Sequence, residues 1–178
     1  MPEKIVFSTA ERLLQRMKAL GVDYVFGNAG TDFAPIIEAF ARAATSGIAM
    51  PEPVLTAHET VAVGMAHGYF LATRRAQCVM VHVNVGLANA LMGLLNAATD
   101  NAPILMCSGR TPVTEFGRHG SRSRPIHWGQ EMRDQAAMVR ESCKWDYELR
   151  FPEQVPELID RAHAIANARS TTSAACSG

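Results

Sequence analysis

The stretch VLTAHETVAVGMAHGYFLATRR, residues 54 to 75, decides how the chain reads. It opens on a short apolar run, Val54-Leu55-Thr56-Ala57, of the kind found in buried parallel strands. Through His58-Glu59 it turns into a helix that carries Val61, Met65 and Tyr69 on one stripe. Gly64 and Gly68 stand four residues apart on that helix. Each costs about 1 kcal/mol against alanine in a helix interior, so the pair predicts another backbone packed close against it. Glu59 therefore falls where a strand ends and a close-packed helix begins. In an open α/β sheet that is the end where ligands bind. A glutamate there is either a dry, poised acid or base, or an N-terminal charge favoured by the helix dipole.

Upstream, Ser8-Thr9-Ala10-Glu11 reads as a capping box, and Leu13, Leu14, Met17 and Leu20 continue a helical stripe to Gly21. Val22 to Phe26 reads as a strand, turned by Gly27-Asn28-Ala29-Gly30. Thr31 or Asp32 is expected to cap the next helix, whose apolar face is Phe33, Ile36, Ile37 and Phe40. Downstream, Cys78 to Val83 reads as a third strand and Ile104 to Cys107 as a fourth. Between them the pattern predicts a helix from Leu87 to Thr99. Strands alternating with helices at these intervals predict an open, mostly parallel, doubly wound α/β sheet with flavodoxin-like layers, helices on both faces.

Residues 110 to 130 break the pattern. They hold Arg110, Arg118, Arg122 and Arg124 with His119 and His127 against one acid, Glu115. A long irregular loop of this kind is either functional or a solvated basic surface. A helix is expected over residues 130 to 140 and a strand around residues 144 to 147. Phe151-Pro152-Glu153 opens a last helix with Val155, Leu158, Ile159, Ala162 and Ala166 on one face. Residues 170 to 178, STTSAACSG, carry no pattern and are expected to be a disordered tail, leaving residues 1 to 169 as one domain.

Composition narrows the function classes. The net charge is zero and the hydrophobic content 48%, a balance that points neither to nucleic acid nor to a membrane. No apolar run reaches the roughly 18 residues of a membrane span, and the first residues lack a signal-peptide core. The four cysteines have no CxxC spacing, which fits free thiols in a reducing cytoplasm. GxGxxG, GxxxxGK[ST] and GxSxG are all absent, and no His/Cys/Asp/Glu set has zinc spacing, so no metal site is expected. What remains is a convergence at one sheet edge: the Gly27–Gly30 loop after the first strand, Glu59 after the second and His82 after the third. Taken singly, a strand-end histidine such as His82 is usually an ordinary hydrogen-bonded one, and it is the convergence that raises the site reading.

Three segments carry a family likeness: GVDYVFGNAGTDFAPIIEAF (residues 21 to 40), AHETVAVGMAHGYFLAT (57 to 73) and HVNVGLANALMGLLNAATDNAPILMCSGR (82 to 110). In order and spacing the chain resembles, over residues 5 to 168, the N-terminal pyrimidine-binding domain of thiamine diphosphate-dependent enzymes, the group of acetolactate synthase and benzoylformate decarboxylase. The resemblance implies that Glu59 hydrogen-bonds N1′ of the cofactor's aminopyrimidine. Burial would raise the pKa of such a carboxyl and let it share that proton. The ring's 4′ nitrogen would then take the C2 proton of the thiazolium, readying the cofactor to attack a 2-keto acid. The FGNAG loop, with Asn28, Ala29 and Gly30, is similar to the family's cofactor-side loop, with Ala29 where proline is common. Thr31 falls where the decarboxylases have a substrate-contacting serine. His82 falls on their active-site histidine, which synthases lack, and this tilts the expectation toward a decarboxylase or lyase. Asn89 matches an asparagine of the cofactor-binding stretch, and Arg110 replaces a common glutamine.

Members of that family are about three times as long as this chain. Their second domain holds the diphosphate and Mg²⁺ with GDG followed by NN, and neither motif occurs here. The chain is accordingly expected to be a truncated or frame-shifted piece of such an enzyme, the pyrimidine-binding subunit of a split one, or a remnant that only associates. It is expected to form a dimer or tetramer, or to pair with a separate diphosphate-binding chain, and to be inactive alone. A small flavodoxin-like or nucleotide-binding module is the competing class.

Overall fold

The computed structural model describes residues 7–118, 120–122 and 125–168. Helix α1 (Thr9–Ala19) starts with the predicted capping box: Ser8 Oγ accepts the Glu11 N–H at 3.2 Å, and Glu11 Oε2 accepts the Ser8 N–H at 2.6 Å. Glu11 is fully buried, and Arg42 lies 3.4 Å from its other oxygen. The Ser8 backbone N–H, more than any other group, holds this carboxyl below its usual range. The helix stops at Leu20, and Gly21 takes φ +89°, a value glycine adopts without strain.

Four strands follow, β1 (Tyr24–Asn28), β2 (Glu52–Leu55), β3 (Gln77–Val81) and β4 (Ile104–Ser108). All pair in parallel, in the order β2-β1-β3-β4. Helices α2 (Ala34–Ser46), α3 (Glu59–Thr73), α4 (Val83–Thr99) and α6 (Val155–Asn167), with a short α5 (Ile126–Gly129), complete the chain. Side chains alternate along the central strands. Val25, Cys78, Met80 and Leu105 face a core with Leu14 and Met17 of α1, Ala39 of α2 and the Ile159 and Ala162 side of α6. Phe26, Val79 and Val81 face a second core with Ala62, Val63 and Ala66 of α3 and Leu87, Ala90 and Leu94 of α4. Each fully buried side chain such as Leu14 contributes about 1.5–3 kcal/mol of burial. The predicted parallel sheet with helices on both faces is thus the observed fold.

Several local expectations change. β2 ends at Leu55 and is an edge strand, with Leu55 80% exposed, so the apolar run does not mark a buried strand. On α3 the Val61 and Met65 stripe faces outward, and the helix buries Ala62, Val63, Ala66 and His67 instead. Small residues set the α3–α4 contact. Gly64 and Gly68 have nothing within 4 Å of where a Cβ would stand; the close approach is at Gly93 of α4, whose Cβ would lie 2.8 Å from Val63 Cβ. α4 begins at Val83, four residues earlier than predicted. Ile37 is 56% exposed and leaves the apolar face of α2. Residues 130 to 140 form no α-helix but two short 3-10 turns, Ala136–Met138 and Arg140–Ser142, and residues 144 to 147 form no strand. There the charged side chains close on one another: Arg140 bonds both Asp134 and Asp146. The tail at 170 to 178, and His119 and Arg124 of the basic loop, lie outside the described residues. Among those described, no helix is long and apolar enough to cross a membrane.

Candidate functional site

β1 and β3 are neighbours, but the chain leaves them in opposite directions, from β1 to β2 at one edge and from β3 to β4 at the other. Their carboxyl ends therefore form the switch point of the sheet, the place where open α/β folds bind ligands. In register Asn28 faces Val81 and Val81 faces Ser108, so the segments leaving these strands emerge at one level.

Glu59 opens α3 beneath this edge. The His58 imidazole caps the helix by accepting the Thr60 N–H at 3.2 Å. Glu59 is only 4% exposed. Asn28 at the end of β1 donates its Nδ2–H to Oε1 at 3.2 Å, and Asn89 of α4 donates its own to Oε2 at 3.1 Å. The Thr60 hydroxyl donates to the Asn89 carbonyl at 2.8 Å, which ties α3 to α4 beside the carboxylate. A Cβ on Gly86 would stand 3.0 Å from Val81 Cβ and 3.3 Å from Glu59 Oε1, so glycine is what lets α4 pass this close. Three sequence-predicted residues, Asn28, Glu59 and Asn89, thus form one cluster. Both partners of the acid are neutral amides, and among the described residues no cation pairs with it.

His82 follows β3 in a second cluster. Its Nδ1 lies 2.6 Å from Asp32 Oδ1, and its Nε2 lies 3.1 Å from Gln130 Nε2. Asp32 Oδ2 accepts the Val83 N–H at 3.3 Å. Val83 takes φ +32°, a conformation a β-branched residue rarely adopts, and the Ser108 hydroxyl donates to its carbonyl at 2.8 Å. Gly30 packs flat against the His82 ring: a Cβ there would overlap the ring atoms. Asp32 caps no helix. Residues Thr31–Phe33 form a 3-10 turn without a side-chain cap, and the carboxylate is turned inward to His82. The sequence does not single out Asp32 or Gln130 as site residues. Thr31 and Ala29 are exposed at the rim, beside the two clusters but bonded to neither.

The basic stretch after β4 is largely consumed by internal pairing. Arg110 bonds Glu131 and, at 2.8 Å, Glu148. Arg122 bonds Glu131 at 3.2 Å and lies over the Trp128 ring at 4.6 Å. The Thr111 hydroxyl, with Arg110 and Arg122, holds the Glu131 carboxyl below its usual range. Among the described residues no group of three His, Cys, Asp or Glu is placed to hold a metal ion.

Comparison with known proteins gives this edge a context. The acetolactate synthase large subunit of Haemophilus influenzae is 32% identical over 160 residues, 90% of this chain and 26% of the relative. The probable 2-ketoarginine decarboxylase of Pseudomonas aeruginosa is 32% identical over 167 residues, 92% of this chain and 27% of the relative. Among solved structures, the thiamine diphosphate-dependent 4-hydroxybenzoylformate decarboxylase of Rhodococcus jostii RHA1 is 26% identical with a TM-score of 0.68, over 89% of this chain and 28% of the other. The chain spans about a quarter of the length of these relatives. The family described as thiamine pyrophosphate enzyme, N-terminal TPP binding domain, matches residues 7–138, a span that holds all four strands and both clusters at their edge. The chain belongs to that family.

Proposed function

We propose that the chain is the pyrimidine-binding half of a thiamine diphosphate-dependent enzyme acting on 2-keto acids, with Glu59 as the residue that holds a proton against the cofactor's aminopyrimidine. The observation that carries this reading is the buried Glu59 carboxylate, with each oxygen held by one neutral amide. A ring nitrogen that takes up or shares a proton is a fitting partner for a dry carboxylate without a cation. When bound, the cofactor supplies the nucleophilic carbon and the electron sink for cleavage or joining next to a keto group. The residues of this chain bind and orient. Asn28 and Asn89 fix the plane of the carboxylate, Ala29 and Gly30 line the rim, and Gly86 keeps α4 clear of Glu59. Thr31 and His82 face the substrate side, and His82 favours a decarboxylase or lyase over a synthase.

The diphosphate and Mg²⁺ belong to a domain that a chain covering a quarter of its relatives would receive from a partner. The outward face of α3 and α4 fits pairing with a second copy. It shows Val61, Met65, Leu71, Met92 and Leu95, each at least 40% exposed, around the open Gly64 and Gly68. A natural subunit of a split decarboxylase has the same half-site, and activity would then return on mixing with its diphosphate-binding chain.

The test is binding of thiamine to the 178-residue chain by ligand-observed NMR, with Glu59→Gln alongside. The expected result is saturable binding weakened at least about tenfold by the substitution, the loss of one charge-assisted hydrogen bond. Equal binding by both proteins overturns the role of Glu59. Turnover of a 2-keto acid by the pure chain with thiamine diphosphate and Mg²⁺ overturns the half-site. Co-purifying flavin or nicotinamide would favour a flavodoxin-like module.

A further inference from the structure

A histidine facing a substrate can present either a donor or an acceptor, and its second ring nitrogen decides which. We propose that Asp32 is the positioning residue of the site: it fixes His82 as the Nδ1–H tautomer and leaves the Nε2 lone pair as the acceptor, turned toward the Gln130 amide. This rests on the proposed function only for the use to which His82 is put; the Asp32–His82 pairing stands on the geometry.

A carboxylate is an acceptor only, so the 2.6 Å contact with Asp32 Oδ1 requires a hydrogen on His82 Nδ1. A neutral imidazole then has no hydrogen on Nε2. The Gln130 side chain agrees: its Nε2, a donor, lies 3.1 Å from that nitrogen. The Gln130 amide marks where a ligand group would stand, and the chemistry that fits is a donor, an O–H or N–H of the substrate.

The surroundings are shaped around this pair. A Cβ on Gly30 would overlap His82 Nδ1, and a Cβ on Gly109 would overlap Asp32 Oδ2. Neither glycine has a positive φ, so space around the pair, and not backbone conformation, is what calls for glycine. The second Asp32 oxygen accepts the N–H of Val83 at 3.3 Å, so one carboxylate orients the ring and holds the strained residue that follows it.

This bidentate arrangement predicts what Asp32→Asn does. The Val83 N–H needs an oxygen, so the amide oxygen takes that side and the NH₂ faces His82 Nδ1. Nδ1 must then accept, and the ring switches to Nε2–H, the same inversion that an Asp-to-Asn change produces in a catalytic triad. Gly109→Ala removes the constraint without altering Asp32: its methyl group displaces the carboxylate, and the ring is left free to populate both tautomers.

The experiment is long-range proton–nitrogen correlation of the histidine-labelled full chain at a pH where imidazole is neutral, with His82→Gln to assign the signal. The expected result is Nδ1–H in the native chain, a switch to Nε2–H in Asp32→Asn, and loss of a single tautomer in Gly109→Ala. The thermal midpoint of each variant is measured alongside; a merely structural role would move the midpoint and leave the tautomer. Nε2–H in the native chain, or Nδ1–H retained in Asp32→Asn, overturns the proposal. Neither outcome bears on Glu59, and failure of thiamine binding leaves the tautomer result standing.

Discussion

Gln77 is fully buried and spends every polar atom on the backbone. Its Oε1 accepts the N–H groups of Asp23 and Tyr24 at 2.9 and 2.8 Å, and its Nε2 donates to the Ala76 carbonyl at 2.8 Å. β1 begins at Tyr24, so the first N–H groups of a central strand are satisfied by a side chain from the neighbouring one. Gln77→Leu keeps the volume and removes the acceptor. Each buried N–H left without a partner costs roughly 1–3 kcal/mol. Urea denaturation should show a lower midpoint with an unchanged slope. Gln77→Glu restores an acceptor but buries a charge without a cation, so it is expected to rescue little. Asp32 at the other end of the sheet obeys the same logic, a polar side chain whose meaning depends on which backbone and ring groups surround it. Neither role is legible in the sequence. Asp32 and His82 lie 50 positions apart, and only the order of β1 and β3 makes them neighbours. The meeting of Glu59, Asn28 and Asn89 is more legible: Asn28 and Glu59 follow from the strand ends, and Asn89 from the segment that resembles a known family.

Among the elements, the contact between α3 and α4 shows where helical glycines matter. Sequence periodicity marks Gly64 and Gly68 as the close-packed positions, but within this chain they face outward, and Gly93 is the one pressed on Val63. The mismatch has a physical cause: α3 is apolar on several faces, with alanines inside and Val61, Met65 and Leu71 outside, so no single stripe identifies the core. The first helix, with one amphipathic stripe and a capping box, is legible for the opposite reason. Residues 130 to 140 depart from the expected helix because salt bridges among Arg140, Asp134 and Asp146 replace helical bonding there. Two substitutions separate the glycine roles. Gly93→Ala drives a methyl group to within 3 Å of Val63 and should destabilise the chain by about 1–3 kcal/mol, as overpacking does. Gly64→Ala meets open space and should stabilise the separate chain by up to about 1 kcal/mol. If a second copy covers this face, the same Gly64→Ala weakens dimerisation, and sedimentation equilibrium of the two proteins distinguishes the cases.

For the molecule as a whole, the titrating groups predict a stability that falls in two stages as pH is lowered. His163 on α6 has its pKa pushed below the ordinary 6.5, first by burial, with the nearby Asp160 opposing. In the unfolded chain His163 takes a proton near 6.5; in the folded chain it resists until lower pH. Below about pH 6.5 the unfolded state therefore binds more protons, and stability declines until pH passes the folded value. The second stage belongs to carboxylates held below their usual range. Glu11 is lowered by the Ser8 backbone N–H, Asp23 by the Tyr69 hydroxyl together with Arg75 and Lys18, and Glu131 by the Thr111 hydroxyl together with Arg110 and Arg122. A depressed carboxylate contributes stability that is complete above its unfolded value, near 4.5 for glutamate and 3.8 for aspartate, and is lost as pH falls through the folded value. Those groups lie in three places: under α1, at the start of β1, and in the basic loop after β4. Acid should consequently loosen both ends of the sheet together. Thermal midpoints measured from about pH 8 down to about pH 3 should be level at first, decline gently below about pH 6.5 and then drop steeply below about pH 4.5. His163→Gln should remove the gentle stage and leave the steep one. A single steep step in the native chain would show that His163 contributes no measurable loss, and a gentle stage that survives His163→Gln would show that another group carries it.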